Sequence, residues 1–235
     1  MSEQEMTFTR SAACPSVVVV GLASCFGCQV QITNAEKYLL EILGQIDLKY
    51  WQLASSDPHP EHFDVAVIEG AVTTEESVKT IKELREKAAA VITVGACACT
   101  GGIPGMASKD FFGRQQAVYG DETPTACGTM IEPRPVADFI KVDYEVPCCP
   151  IDPYYFVTVL QRALYGSNKS AHTATLCGEC KQNERGCFYM NGTLCMGMIT
   201  RKGCGAKCTN LGRPCMGCSG LAPDANVPAA RMACE

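Results

Sequence analysis

Apolar positions along the chain fall into short strand-like runs separated by stretches with helical spacing. Residues 16–22 form a nearly continuous β-branched run, as expected for a strand buried on both faces. Residues 29–43 then place Ile32, Leu39, Leu40 and Leu43 on one side of a helix and Glu36, Lys37 and Glu41 on the other. A second buried strand is predicted over 63–68. A helix over 74–89 should follow, with Thr73 or Thr74 as N-cap ahead of Glu75 and Glu76. A third strand is predicted over 90–94, a fourth over 139–146, and a terminal helix over 154–164 behind Pro153.

Alternating strand and helix predicts an α/β fold, a parallel sheet wrapped by helices with flavodoxin-like order. In such sheets ligands bind at the carboxyl ends of the strands. The cysteines obey that rule. Cys25 and Cys28 follow the first strand, Cys97 and Cys99 the third, and Cys148 and Cys149 the last. Core cysteines have no reason to gather at strand ends, so this set reads as a binding edge.

Composition sharpens the picture at one point, the 17 cysteines among 235 residues. Residues 1–166 hold eight of them in an otherwise ordinary sequence, and residues 167–235 hold nine. The second segment has few large apolar residues and cannot be organised by an ordinary core. Ligation would organise it, because binding free energy then becomes folding free energy. A disulfide scaffold fits poorly, since the count is odd and no secretory signal is read around Val17–Val20. No run is long enough for a membrane span. A net charge of -5 argues against nucleic acid as a partner.

Three constellations carry the chemistry. Cys25 and Cys28, then Gly95-x-Cys97-x3-Gly101-Gly102, then Cys149-Pro150 would deliver four thiolates on separate loops, as a cubane iron–sulfur cluster needs. The glycines allow backbone amides close to cluster sulfurs. Cys177-x2-Cys180-x6-Cys187-x7-Cys195 and Cys204-x3-Cys208-x6-Cys215-x2-Cys218 are two further sets of four. Spacing alone leaves zinc open for either, and leaves ligands shared across sets open too. Cys99 and Cys148 stand beside ligand candidates and are alternatives to Cys97 and Cys149. Cys14, Cys127 and Cys234 read as inert thiols. His59 and His62 lie in a Pro-flanked turn, and His172 stands outside the expected cluster shell. Glu69 ends a buried strand near the first set, either shaping traffic there or as a satisfied polar strand end. Residues 101–105 lack the features of a P-loop or dinucleotide fingerprint, so no nucleotide is expected.

These residues resemble the small, electron-transferring subunit of nickel–iron hydrogenases over about residues 16–220. The likeness rests on Ser24-Cys25-Phe26-Gly27-Cys28, Glu69-Gly70, residues 95–104 and Pro147-Cys148-Cys149-Pro150. It continues through Cys187-Phe188-Tyr189, Gly192, Cys195-x-Gly197 and Pro214-Cys215-Met216-Gly217-Cys218. The resemblance implies a flavodoxin-like domain, 1–166, with a proximal 4Fe–4S cluster on Cys25, Cys28, Cys97 and Cys149. It implies a cysteine-rich, loop-dominated iron–sulfur domain, 167–235. By order, Cys177, Cys180, Cys187 and Cys195 would hold a distal cluster, and Cys204, Cys208, Cys215 and Cys218 a medial one. The NiFe centre would lie in a separate large subunit.

Membrane-bound members of that family carry a histidine where this chain has Cys177, and a proline where it has Cys208. The resemblance therefore implies three 4Fe–4S clusters and a cytoplasmic member. Its acceptor would be a further iron–sulfur or flavin subunit linked to NAD(P), ferredoxin, coenzyme F420 or heterodisulfide reductase. Two other readings are an iron–sulfur subunit of another cytoplasmic redox complex, similar to complex I, and a zinc-stapled structural protein. The latter leaves the strand-end thiols unexplained.

Overall fold

A computed structural model describes residues 14–233 apart from positions 37, 39, 40, 42, 43, 57, 59 and 167–173. Leu39, Leu40, Leu43, His59, His172 and Cys234 lie outside the described residues.

The strands β1 (Ser16–Gly21), β2 (Asp47–Trp51), β3 (Phe63–Glu69), β5 (Ala88–Val94) and β7 (Tyr144–Val146) form a five-stranded sheet in the order β2-β1-β3-β5-β7. Every pairing in it is parallel. This is the flavodoxin-like order expected from the alternation, because the short strands β4 (Val72–Thr74) and β6 (Met130–Arg134) pair antiparallel outside it.

Period-two alternation divides the apolar runs between two cores. Val17, Val19, Val65, Val67 and Ile92 pack on one face with Ile32 of α1 (Gly27–Thr33) and Phe156, Val159 and Leu160 of a long C-terminal helix. Val18, Val20, Ala66, Ile68 and Val91 pack on the other with Ile81 and Leu84 of α2 (Glu75–Lys87). Each fully buried Val or Ile stabilises the fold by about 2 kcal/mol.

Thr74 caps α2 through a capping box, its hydroxyl accepting from the Ser77 N–H at 3.1 Å. After β5 come α3 (Gly95–Thr100), α4 (Gly102–Gly105) and α5 (Phe111–Tyr119). The C-terminal helix, α6 (Pro153–Tyr165), begins behind Asp152, which accepts from the Tyr155 N–H at 2.9 Å. In the tail, α7 (Leu176–Gln182), α8 (Lys207–Asn210) and α9 (Val227–Met232) are short and joined by loops.

The structure differs from the sequence reading in several places. Strand β7 covers only Tyr144–Val146, since Val136–Asp138 forms a 3-10 turn that buries Val136 in the second core. The helix expected over 29–43 is interrupted: α1 closes at Thr33 with Asn34 as its C-cap, and Glu36, Tyr38 and Glu41 beyond it are helical again. Strand β2 lay hidden because it is an edge strand, half-buried at every position but Lys49 and with no continuous apolar run.

The tail has a core of its own kind. Leu176, Ala206 and Cys215 are buried together, packed by Cys180, Cys195, Met196 and Cys204. It is fastened to the strand ends of the sheet by ion pairs Arg201–Glu145 and Lys207–Asp152, each at 2.7 Å.

Candidate metal centre

Parallel strands send β1, β3, β5 and β7 to the same edge, and the segments just beyond β1, β5 and β7 carry the thiols. Cys25 and Cys28 stand at the start of α1, Cys97 in the first turn of α3, and Cys149 just beyond β7. Among the described residues every cysteine is a free thiol.

The four thiols of the first set are electrostatic neighbours. Cys149 is pushed up by burial and by Cys218, Cys97 and Cys25. Cys97 is pushed up by burial, with Cys25 adding to it and the Ile103 N–H opposing it. Burial drives Cys28 up to about 12, against a hydrogen bond from the Ile151 N–H and with Glu69 and Cys149 adding. Such thiols hold their protons near neutrality until a metal displaces them, since coordination deprotonates a thiol outright.

Two glycines shape the space. Gly95 has φ +84°, and a Cβ there would sit 2.5 Å from Cys28 Sγ. Gly70, at φ +100°, would drive a Cβ to 2.7 Å from the Leu22 carbonyl carbon. Only glycine holds the strand ends this close. Glu69 is fully buried beside them; its Oε1 accepts from the Cys28 N–H at 3.1 Å, and its Oε2 is buried without a partner.

Cys99 faces elsewhere. Its buried Sγ lies 3.4 Å from Thr93 Oγ1, and burial pushes its thiol up to about 12. Cys97, with Cys25 and Cys149 as neighbours, is the member of the pair that looks into the set.

In the tail, Cys177, Cys180, Cys187 and Cys195 line one cavity of about 340 Å³. A Cβ on Gly197 would lie 3.6 Å from Cys195 Sγ and 3.7 Å from Cys177 Sγ, so the glycine forms part of its wall. In the other set, Cys204 and Cys218 both press on Cys208 electrostatically. Cys215 stands between the two tail sets. Its N–H donates to Cys195 Sγ at 3.3 Å, and its own Sγ accepts from the Gly217 N–H at 3.4 Å. Amides also reach Cys204 from Ala206 and Lys207, and Cys218 from Cys149.

Amides aimed at sulfurs are what a thiolate cluster site requires, because they stabilise negative charge on the ligands. The donor set fits iron–sulfur chemistry: thiols on separate loops, glycine-walled space and N–H groups on the sulfurs. Among the described residues no three of Cys, His, Asp or Glu close on a single point as one bare metal ion would require.

Sequence reasoning left Cys148 as an alternative ligand and did not single out Ser219 or Thr200. Cys148 is buried, with Sγ 3.0 Å from Ser219 Oγ. Hydrogen bonds to Cys204 and Cys218, then burial, hold its thiol well above the usual range. The same bonds hold Cys204 down at about 7 and Cys218 at about 6. Thr200 Oγ1 lies 3.7 Å from Cys215 Sγ. The Cys148-Cys149 doublet was the one sequence signal for this arrangement.

Residues 25–163 match the family model described as NADH ubiquinone oxidoreductase, 20 Kd subunit. The chain belongs to that family. Within it the relatives are hydrogenase subunits. The chain is 32% identical to sulfhydrogenase 2 subunit delta of Pyrococcus furiosus, covering 89% of this chain and 88% of the relative. It is 33% identical to a subunit of the F420-non-reducing hydrogenase vhu of Methanocaldococcus jannaschii, covering 87% of this chain and 81% of that relative. Its fold is that of a chain in the crystal structure of an NAD+-reducing NiFe hydrogenase in the H2-reduced state. That match has a TM-score of 0.61 and 24% identity, covering 68% of this chain and 96% of that one. No helix among the described residues is long and apolar enough to cross a membrane.

Proposed function

We propose that this chain is the electron-transferring subunit of a cytoplasmic NiFe hydrogenase. It would relay electrons between the NiFe site of a large subunit and an acceptor-linked subunit. The observation that carries the reading is the gathering of Cys25, Cys28, Cys97 and Cys149 at neighbouring strand ends, with Cys149 also facing Cys218 of the tail. One binding edge thereby adjoins the next.

In this reading residues 1–166 hold a proximal 4Fe–4S cluster on those four thiols. Residues 167–235 hold a medial one on Cys204, Cys208, Cys215 and Cys218, and a distal one on Cys177, Cys180, Cys187 and Cys195. Such clusters supply one-electron transfer at potentials set by their surroundings. The chain's own part is to hold them. Ile103, Ile151 and Gly217 give amides to ligand sulfurs. The acceptor subunit carries iron–sulfur or flavin groups and works with NAD(P), ferredoxin, F420 or heterodisulfide reductase.

A second reading has one observation in its favour, the description of the matching family: an iron–sulfur subunit of a complex similar to complex I. The two tail sets weigh against it, since the strand-end set alone would serve there.

Metal analysis of the anaerobically purified complex tests the proposal. About 12 iron and about 12 acid-labile sulfide per chain are expected for three clusters of four thiols each. About one nickel should accompany a larger co-purifying chain. About two zinc with only some four iron would overturn the three-cluster reading and leave a zinc-built tail.

A further inference from the structure

Adjacent cysteines beyond β7 have different partners. Cys149 has Cys25 and Cys97 as neighbours as well as Cys218 of the tail, whereas Cys148 meets tail residues, with Ser219 nearest. There its buried Sγ lies 3.0 Å from Oγ of Ser219, the residue after Cys218, and has the thiols of Cys204 and Cys218 as neighbours. Ser219 also bonds to Cys218. Four sulfur and oxygen atoms from two parts of the chain thus form one polar knot between the strand-end set and the tail.

The backbone at Cys148 adds an independent observation. Its φ is +99°, a region that side chains rarely adopt and glycine adopts freely. Packing alone does not account for a cysteine here, since glycine would relieve the backbone. Strain held in place by the surrounding structure points to a task for the side chain.

We propose that Cys148 is a positioning residue for the medial set, its one S–H donated to the sulfur of Cys204 or of Cys218, rather than a ligand. The inference rests on reading those two residues as medial ligands. Ser219 holds the Cys148 thiol in place from the tail side. A donor to a ligand sulfur favours the more negative, reduced state of a bound cluster and so raises its reduction potential. Cys148 thereby tunes the site next to the one its neighbour Cys149 helps to build. The doublet matches the two sites across a single peptide bond.

EPR-monitored redox titration of the intact complex, with iron analysis, tests this in Cys148→Gly, Cys148→Ser and Ser219→Ala. Cys148→Gly removes the thiol and relieves the backbone, so the protein should fold. Its iron content should equal the parent's, and one of the three midpoints should fall. Ser219→Ala should shift that same component in the same direction, and Cys148→Ser, which keeps a donor, should restore it toward the parent. Unchanged midpoints in Cys148→Gly would overturn the proposal, as would shifts of different components in Cys148→Gly and Ser219→Ala. Loss of a cluster's iron in Cys148→Gly would also overturn it, by making Cys148 a ligand. A parent protein with no iron–sulfur signal at all would sink the proposed function together with this inference. A parent with three signals and an indifferent Cys148 would sink this inference alone.

Discussion

The backbone N–H of Cys28 donates to Oε1 of Glu69 at 3.1 Å, across 41 positions of sequence. A carboxylate at the end of β3 therefore fixes the first turn of α1, where two of the strand-end thiols begin.

Removing that acceptor strands a buried amide. Glu69→Ala should destabilise the protein by about 2 kcal/mol, the cost of an unsatisfied buried donor. Glu69→Gln retains an acceptor and should lose less. Urea unfolding of the two variants checks the order; equal stability for Glu69→Ala and the parent would show that this bond does not matter.

Gly95→Ala should disrupt the strand-end set. The new Cβ would meet Cys28 Sγ at 2.5 Å, at a φ of +84° that already disfavours a side chain. Iron per chain should fall by up to about four, one cubane's complement. Gly120→Ala provides the control, because φ is again positive at +58° but no atom lies within 4 Å of its Cβ. Iron loss in both variants alike would point to general strain rather than to the site.

Cys208→Pro should leave the medial set with three thiols. Cys208 lies in the first turn of α8, where proline is tolerated. One cluster should become a three-iron species, with about one iron lost per chain and a new EPR signal in the oxidised protein. Iron content and spectra identical to the parent's would remove Cys208 from the ligand set.

Arg85 of α2 and Asp143, just before β7, form an ion pair. Arg85 joins the Asp143 carboxylate to the Ala88 and Ala89 carbonyls, and Asp143 also accepts from the Val91 N–H at 2.9 Å. Asp143 is 6% exposed, so Arg85→Ala leaves a buried charge poorly paired. A loss of about 3 kcal/mol is expected. Lys141 Nζ, 3.8 Å from the other Asp143 oxygen, compensates in part. Thermal and urea unfolding measure the cost, and a variant as stable as the parent would refute the assignment.

Some of this was legible in the chain. β1, β3 and β5 read directly because strands buried on both faces must be apolar at every position, as Val17–Val20 and Val65–Ile68 are. The Thr74 cap and the Pro153 helix start were legible because helix-end signals are local, with Thr73 the alternative cap that spacing left open. β2 was not, since an edge strand is patterned only by halves, and the β4–β6 pair joins segments some 60 residues apart. Cys97 and Cys99 could not be separated by spacing. Their directions depend on the α3 geometry, which turns Cys99 onto Thr93 and Cys97 toward Cys25.

The sequence by itself determined the alternation of strand and helix, the parallel sheet class, and the delivery of thiols to one edge. Period-two and 3.6-residue patterns, with parallel connections, leave few other ways to bury those runs. Only the tertiary structure decided which thiol of each neighbouring pair faces which set. It also decided that Glu69 supports Cys28 and that Cys148 meets Ser219 across 71 positions. Those choices rest on backbone angles and on contacts between segments far apart in the chain, which no local pattern encodes.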